Sequence, residues 1–411
     1  MSSSRFATLA LVLSSAAAVA QPPGEAGVTP APLSKKTPVV VTYDKGLLFT
    51  AASGDYTLKL AFKAQVRFDS TRPTDPDDQF VSHFFVPRSR MVASGTMFGD
   101  SNRYRLELGL GEAGNFAYAK DVFLEKRVAA APIWLRVGQW TRPFSRHEVV
   151  SDFTTELAER ANVAAYAGVG RDIGIALHND YETSPDGFEW VVGVFNGFGG
   201  AGDRPALTAT CTQEPSSTCT IPTPSTFPAD FGPTAIARVG WNTGGIKGYS
   251  EGDLEGGGPR LAIGAAYKID FANFAKGTQS TVAENLRQGL EADAMFKAYG
   301  FSLEGGVYAL KLRAADTACA AFVQPGFFVV PKVLELAARL SYAPSGAQHQ
   351  TETRIAIDWY WRGHAWKWST DLGRIELSGV AASPVIGARA ATAAIPAHTE
   401  LQLRTMLQLV L

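Results

Sequence analysis

Apolar and polar side chains alternate with a period of two residues along most of this chain. In residues 56–68, Leu58, Leu60 and Phe62 fall on one face, whereas Lys59 and Lys63 fall on the other. Such alternation indicates a β-strand with one apolar and one polar face. The segment is longer than the roughly 5–6 residues of a usual globular strand and covers the roughly 9–11 residues of a tilted membrane-spanning strand. The pattern therefore predicts strands that cross a lipid bilayer.

Similar segments recur along the chain, and the last one runs to the C-terminal residue, Leu411. We count sixteen of them: residues 56–68, 84–98, 103–112, 117–127, 132–140, 171–179, 188–196, 234–243, 259–270, 288–298, 301–312, 320–330, 333–343, 350–361, 364–373 and 399–411. An even number of strands brings both ends of a barrel to the same side of the membrane, as in bacterial outer-membrane barrels.

The lengths of the connections between these segments alternate as well. Connections after the second, fourth, tenth, twelfth and fourteenth segments are tight, whereas those after the first, fifth, seventh, ninth and fifteenth are long. Residues 244–258 are an exception, because this connection is long but falls on the short side. The pattern predicts an all-β fold over residues 46–411: a 16-stranded antiparallel transmembrane β-barrel with short periplasmic turns and long external loops.

The first twenty residues have the features of a cleaved signal peptide. Arg5 precedes an apolar stretch, and Ala18-Val19-Ala20 matches the small-residue pattern of a signal-peptidase site. Residues 21–45, which are rich in Pro and Gly at their start, are interpreted as a flexible leader. An exported chain with membrane-crossing strands is expected in the bacterial outer membrane.

Composition and motifs narrow the function classes. The 38 Lys and Arg residues nearly balance the 39 Asp and Glu residues, which argues against a nucleic-acid-binding protein. The six histidines lack paired ligand spacing, so no metal site is predicted. Residues 109–114 match a nucleotide-binding pattern and residues 248–252 a nucleophile-elbow pattern, but neither lies in the required strand–helix context. We therefore predict no catalytic residues, no cofactor and no enzymatic activity.

Several motifs resemble one known family. They are Gly138-Gln-Trp-Thr-Arg-Pro-Phe-Ser145, Glu159-Arg160, Gly170-Arg-Asp-Ile-Gly174, Phe195-Asn-Gly197, residues 326–339 and Trp359-Tyr-Trp-Arg-Gly-His364. In order and spacing the chain resembles the phosphate-selective porin O and P family over roughly residues 46–411. The resemblance implies a sixteen-stranded outer-membrane barrel, usually a homotrimer, that passes anions. One departure is the C-terminal Leu411, where that family usually has an aromatic residue.

A row of basic residues follows the polar phase of the first three predicted strands. These predicted anion-steering residues are Lys59, Lys63, Arg67, Arg88, Arg90, Arg103 and Arg105. A cationic wall in a low-dielectric barrel concentrates anions, and the arginine fork suits phosphate oxygens. Acidic residues cluster elsewhere, at Glu291, Asp293 and Glu304. The alternative is that these charges merely occupy solvated lumen positions.

The connection of residues 141–170 is the third external loop of the predicted barrel. In porins such a loop folds into the lumen and narrows it, as the resemblance implies here. Its candidate constriction residues are Arg142, Arg146, His147, Glu148 and Arg160, and Ala161–Ala167 has the pattern of a short helix. The alternative is an external flap whose charges cancel.

Two of the three cysteines, Cys211 and Cys219, lie in a loop rich in Thr, Ser and Pro. In an oxidising compartment they could form a disulfide; two unpaired thiols are the alternative. Cys319 has no evident partner and is expected at a lipid-facing strand end.

The predicted function is a passive outer-membrane diffusion channel for small hydrophilic solutes, with anions such as phosphate or polyphosphate preferred. The expected partners are outer-membrane lipid, two further copies of the chain and small solutes. One alternative is a non-conducting barrel that acts as an enzyme or adhesin, and another is a porin without anion preference. A soluble secreted β-protein is disfavoured by the long two-faced strands.

Overall fold

The computed structural model describes residues 39–73, 80–111, 117–128, 132–197, 210–212, 218–220, 233–271, 286–312, 317–345, 348–378 and 398–411. Within them lie the strands β1 Val39–Tyr43, β2 Leu47–Ala51, β3 Thr57–Pro73, β4 Val81–Thr96, β5 Asn102–Leu110, β6 Ala117–Arg127, β7 Trp134–Thr141, β8 Arg171–His178, β9 Gly187–Phe195, β10 Thr210–Thr212, β11 Thr218–Thr220, β12 Thr234–Asn242, β13 Arg260–Phe271, β14 Leu286–Ala298, β15 Phe301–Leu312, β16 Thr317–Val330, β17 Leu334–Ser345, β18 Gln348–Tyr360, β19 Trp366–Ser378 and β20 His398–Val410. Two short helices, α1 Arg146–Val149 and α2 Asn162–Ala167, lie between β7 and β8.

Sixteen of these strands form a closed antiparallel barrel. Each of β3–β9 and β12–β20 pairs with its neighbours in chain order, and β20 pairs with β3 from Glu400↔Pro73 to Val410↔Lys63. Each predicted segment corresponds to one barrel strand, so the predicted 16-stranded antiparallel β-barrel is confirmed. The predicted helix over Ala161–Ala167 is confirmed as α2.

Four described strands were not predicted: β1 and β2, and the short pair β10–β11. Strands β1 and β2 form a hairpin, and β2 pairs with the first residues of β3, from Leu47↔Leu60 to Thr50↔Thr57. Residues 39–43 of the predicted leader are therefore a strand. The predicted signal peptide, residues 1–20, and residues 21–38 of the leader lie outside the described residues and stay predictions.

The barrel wall is polar inside and apolar outside. On β18, Glu352, Arg354 and Asp358 are buried, whereas the intervening Ile355 and Ile357 are exposed. The same phase leaves Trp359, Trp361, Trp366 and Trp368 exposed on the outer surface. Because an apolar exterior is stable only against lipid, this arrangement is the one expected of a transmembrane barrel. Among the described residues, no helix is both long and apolar enough to span a bilayer.

Candidate functional site: the barrel lumen

The connection between β7 and β8, which we call loop A (residues 142–170), lies inside the barrel. Phe144, Val150, Leu157 and Val163 are fully or almost fully buried there, and the backbone of Val150 donates back to Arg146 to close α1. A loop with this many apolar side chains gains free energy by leaving solvent. Loop A therefore supplies the apolar contacts that the polar inner wall lacks.

Charged groups attach loop A to the wall on one side of the barrel. Arg146 Nε donates to Asp293 Oδ1 at 2.7 Å, and its Nη2 lies 3.2 Å from Glu189 Oε1. The hydroxyl groups of Ser145 and Tyr308 are 2.7 Å apart. Arg146 is completely buried, so its two carboxylate partners offset the desolvation of its charge.

The second half of loop A is held by backbone groups. The N–H of Ala158 donates to Asp371, and that of Asn162 donates to Glu352 Oε2 at 2.9 Å. Arg339 donates to the Glu159 carbonyl at 2.8 Å. Each wall partner comes from β17–β19, so this half of loop A is attached to a different part of the wall from Arg146, whose partners lie on β9 and β14.

The connection between β12 and β13, loop B (residues 243–259), also enters the barrel. It comes from the short-turn end, opposite to loop A. Ile246, Glu251 and Asp253 are nearly fully buried. Lys297 Nζ donates to the carbonyls of Lys247 and Ser250, at 3.1 and 2.6 Å. The long connection that was an exception in the sequence is thus a second inward-folded segment.

Loops A and B meet at Glu251. Its N–H donates to the Thr154 carbonyl at 2.9 Å, and its Oε2 accepts from the N–H of Glu156 at 2.8 Å. The amide of Gln324 on β16 donates to the carboxylates of both Glu156 and Glu251, each at 2.7 Å. Burial and neighbouring carboxylates raise the pKa of Glu251.

His147 of loop A lies beside two carboxylates. Its Nδ1 is 3.2 Å from Glu304 Oε1 and 3.4 Å from Glu251 Oε1, an arrangement that could hold a metal ion. However, its Nε2 accepts from the N–H of Ala161 at 3.0 Å, so the neutral ring carries its proton on Nδ1. That proton points to the carboxylates, and hydrogen bonding accounts for the cluster. Burial lowers the pKa of His147 to about 3, which keeps the ring neutral.

The predicted basic wall faces the lumen, but its arginines are ion-paired. Each of the five predicted arginines contacts two carboxylates: Arg67 (Asp69, Glu159), Arg88 (Asp152, Glu159), Arg90 (Glu107, Asp152), Arg103 (Glu125, Asp180) and Arg105 (Glu107, Asp121). The acids that supply these pairs come from loop A, from the same or neighbouring strands and from the turn after β8. The wall is therefore an alternating network of charges.

The two predicted lysines differ from the arginines. Lys59 forms an ion pair with Asp44 at 3.0 Å, in the turn between β1 and β2, and so lies at the short-turn rim. Lys63 has its ammonium group 5.4 Å from the centre of the Phe153 ring of loop A, and no ion pair to it is found among the described residues. Neither lysine lines the two lumen cavities described next.

Two cavities remain beside loop A. One, of about 520 Å³, reaches the short-turn end at Thr96 and Asp180. The other, of about 690 Å³, reaches the long-loop end at Thr71 and His83. We call them the short-turn cavity and the long-loop cavity. Neither is lined by a described residue of β12–β17, because loops A and B fill that part of the lumen.

Glu148 and Arg160 line both cavities, so these two side chains lie between them. Glu148 accepts from the N–H groups of Val169 and Gly170, at 3.0 and 2.5 Å. Arg160 donates to Asp152 and to the His147 carbonyl, the latter at 3.0 Å. Burial raises the pKa of Glu148. One acidic and one basic side chain thus stand at the boundary between the two cavities.

The other three candidates of loop A do not line the cavities. Arg146 and His147 are buried against the wall and loop B, as described above. Arg142 lies 3.7 Å from Asp172, on β8. These three residues hold the loop in place, and the sequence had no signal to separate them from Glu148 and Arg160.

Among the cysteines, Cys319 lies away from the two lumen cavities. Cys319 is exposed and unpaired on β16, on the same outward phase as Val323 and Phe327, which agrees with its expected lipid-facing position. The backbones of Cys211 and Cys219 are opposite each other in the β10–β11 pair. Their side chains lie outside the described part of the chain, so the disulfide stays a prediction.

Sequence reasoning missed several charged residues of the lumen. Asp121, Arg136 and Arg171 line the short-turn cavity, and Arg404 lines the long-loop cavity. The period-two phase could have found Asp121, Arg136 and Arg404, which are on the inward phase of their strands, whereas Arg171 shares the phase of the exposed Ile175 and Leu177. Nothing in the sequence indicated that Glu251 would reach loop A.

The fold is that of known outer-membrane porins. An anion-selective porin from Comamonas acidovorans is 11% identical with a TM-score of 0.55, covering 87% of this chain and all of that one. OmpT, an outer membrane protein of Vibrio cholerae, is 13% identical with a TM-score of 0.51, covering 86% and 98%. Salmonella typhi OmpF, in a complex with daunomycin, is 11% identical with a TM-score of 0.50, covering 90% and 100%. At these identities the likeness concerns the fold alone. No protein-family model and no curated protein matches the sequence.

Proposed function

We propose that this chain is a passive diffusion channel of the bacterial outer membrane for small hydrophilic solutes. The observation that supports the proposal is the pair of lumen cavities on either side of Glu148 and Arg160, inside a barrel with an apolar exterior; we propose that a passage between them opens at these two side chains. Solutes would pass along the side of the lumen formed by β18–β20 and β3–β8, where polar and charged groups replace hydration contacts. No bond is made or broken in this process.

The charged residues that line the two cavities determine the ion preference of the proposed channel. Eight arginines line the two cavities: Arg67, Arg90, Arg103, Arg105, Arg136, Arg160, Arg171 and Arg404. Ten carboxylates do so as well: Asp69, Glu107, Asp121, Glu125, Glu148, Asp152, Glu159, Asp180, Glu182 and Glu352. Because neither sign dominates, we propose that the channel has only a weak ion preference, decided where Glu148 and Arg160 border the passage.

The sequence-based hypothesis of an anion or phosphate preference has one observation in its favour. Six arginines surround the short-turn cavity, and the guanidinium fork suits phosphate oxygens. A phosphate would have to replace the carboxylates that now pair with them. The preference, the membership in the phosphate-selective porin family and the homotrimer remain proposals.

Planar-bilayer recording of the refolded barrel tests both the channel function and its ion preference. We expect stepwise openings in KCl and a small reversal potential under a KCl gradient. Arg160→Gln should shift the reversal potential toward cation preference, and Glu148→Gln should shift it toward anion preference. Arg374→Gln is the matched control, because Arg374 pairs with Glu376 on the exposed outer surface.

The outcomes separate the hypotheses. A strong anion preference with block by added phosphate would replace the weak-preference proposal with the phosphate channel. Equal responses of all three variants would remove Glu148 and Arg160 from the passage. A folded, detergent-stable barrel without openings would favour the non-conducting alternative, an enzyme or adhesin.

A further inference from the structure

Loop B is a second candidate pore element, because it occupies lumen that a short turn would leave empty. Its buried residues lie between loop A and the inner wall of β12–β17. Tyr249 OH donates to Glu189 Oε1 at 3.0 Å, and the N–H of Gly248 donates to Ser184 Oγ at 2.9 Å. Ser250 Oγ lies 3.3 Å from His364 Nε2, in the turn between β18 and β19. These contacts reach two other connections at the short-turn end.

The backbone of loop B contains a turn that lets it enter the lumen and return to the rim. Gly252 has φ +69°, and a side chain there would bring Cβ to 3.0 Å from Glu335 Oε1. Asp253 accepts from Arg260 and from the N–H of Gly300, the latter at 2.8 Å. The positive φ turns the chain back toward the rim, so loop B enters and leaves the lumen over a few residues.

We infer that loop B blocks the β12–β17 side of the lumen and that Glu251 is a positioning residue for loop A, so that solutes are confined to the passage bordered by Glu148 and Arg160. This inference rests on the proposed channel function. Glu251 itself does not line either cavity. It acts through Thr154 and Glu156 of loop A, whose backbone groups it holds.

Removing loop B tests the blocking role. In the test variant residues 244–258 are replaced by Asn-Gly, which favours a tight hairpin turn. We expect the single-channel conductance in KCl to rise about twofold, because ionic current scales with the open cross-section. Larger neutral polyethylene glycols should then enter the pore and reduce its current. In the shortened barrel, Arg160→Gln should no longer shift the reversal potential.

Single substitutions test the positioning role and avoid the risk that the shortened barrel fails to fold. Glu251→Ala removes the acceptor for the Glu156 N–H, so we expect frequent steps to higher conductance levels. Glu251→Gln keeps a carbonyl oxygen and should restore steady openings. Glu255→Ala is the control, since Glu255 lies in the same loop but pairs with the exposed Lys247 at 2.8 Å. Heat-modified mobility in electrophoresis verifies that each barrel is folded.

Wild-type conductance decides the proposed function, and the differences between variants decide this inference. A conducting wild type whose folded loop-B variant has unchanged conductance and polymer exclusion would overturn the blocking role. Glu251→Ala openings that match those of Glu255→Ala would overturn the positioning role. A closed wild type with an open shortened variant would support the block while contradicting the passive channel. If both are closed, the function and the inference fail together.

Discussion

The two sides of the lumen are built from the same strand pattern but hold their charges in different surroundings. On β4–β8, Arg103 and Arg105 face a cavity, and about a third of each side chain is exposed. On β12–β14, Arg238, Glu291 and Asp293 are almost completely buried under loops A and B. The difference shows that an inward polar position in a large barrel does not by itself mean a hydrated pore.

Burial changes the energetic role of the charges. Arg238 Nη1 is 3.1 Å from Glu291 Oε2, and its Nη2 is 2.6 Å from Asp293 Oδ2. Buried charges must be matched closely, because water cannot screen an unpaired one. In the proposed channel the partly exposed Arg103 and Arg105 would exchange partners with solutes, whereas the buried charges on β12–β14 position loop A.

The largest expected effect comes from removing a buried arginine. Arg238→Met should lower the free energy of unfolding by about 3–5 kcal/mol, because it leaves the buried Glu291 without its cation and Asp293 with Arg146 alone. Arg103→Met, on the cavity side, should lower it by about 1 kcal/mol or less, since a partly exposed ion pair is screened. Urea unfolding in phospholipid vesicles measures both. Equal losses would mean that the two sides do not differ in hydration.

A smaller effect is expected at the glycine that accommodates Arg238. Gly264 on β13 lies beneath the guanidinium, which passes over it from β12 to Asp293 on β14; a Cβ there would overlap Arg238 Nη2 and lie 2.9 Å from Asp293 Oδ1. Gly264→Ala should therefore lower the free energy of unfolding by about 1–3 kcal/mol.

Gly258→Ala is the control for that substitution. Its Cβ would meet nothing closer than the Tyr299 hydroxyl at 4.0 Å. The same urea titration applies. A loss at Gly264→Ala no greater than at Gly258→Ala would show that Arg238 can move without cost.

The smallest effect is a difference in pH dependence at His147. Burial places its pKa at about 3 in the folded barrel, against 6.5 for an ordinary histidine. Below about pH 6.5 the unfolded chain binds a proton that the folded chain does not. The free energy of unfolding therefore decreases as the pH is lowered from about 6.5 to about 3. His147→Gln removes this contribution.

The charged groups that face this ring are Glu251, Glu304, Glu352, Arg339 and Arg160, and His147→Gln leaves all five in place. Comparison of the unfolding midpoints at pH 7 and pH 5 isolates the histidine. We expect the wild type to lose at most about 2 kcal/mol more than His147→Gln over that interval. The same loss in both would indicate that His147 is protonated in the folded barrel.

The sequence predicts those features of the fold that neighbouring residues in the chain encode. The alternation of Ile355 and Ile357 with Arg354 and Asp358 is a local pattern. Because the apolar side chains must face lipid and the polar ones the lumen, this pattern identifies the strand and the side to which each side chain points. The same local pattern predicted the outward Trp359 and the sixteen strands. Connection lengths predicted the long loop A, and the motif resemblance pointed to a porin.

The sequence alone thus determined the barrel, its strand number and which side chains face inward, since a one-residue slip would place charges in lipid. Only the tertiary structure decided which inward charges line a cavity. That outcome depends on contacts between residues far apart in the chain, such as Glu251 with Glu156 and Arg146 with Asp293. Loop B enters the lumen because buried partners on several strands are present together, and no local pattern encodes such a set.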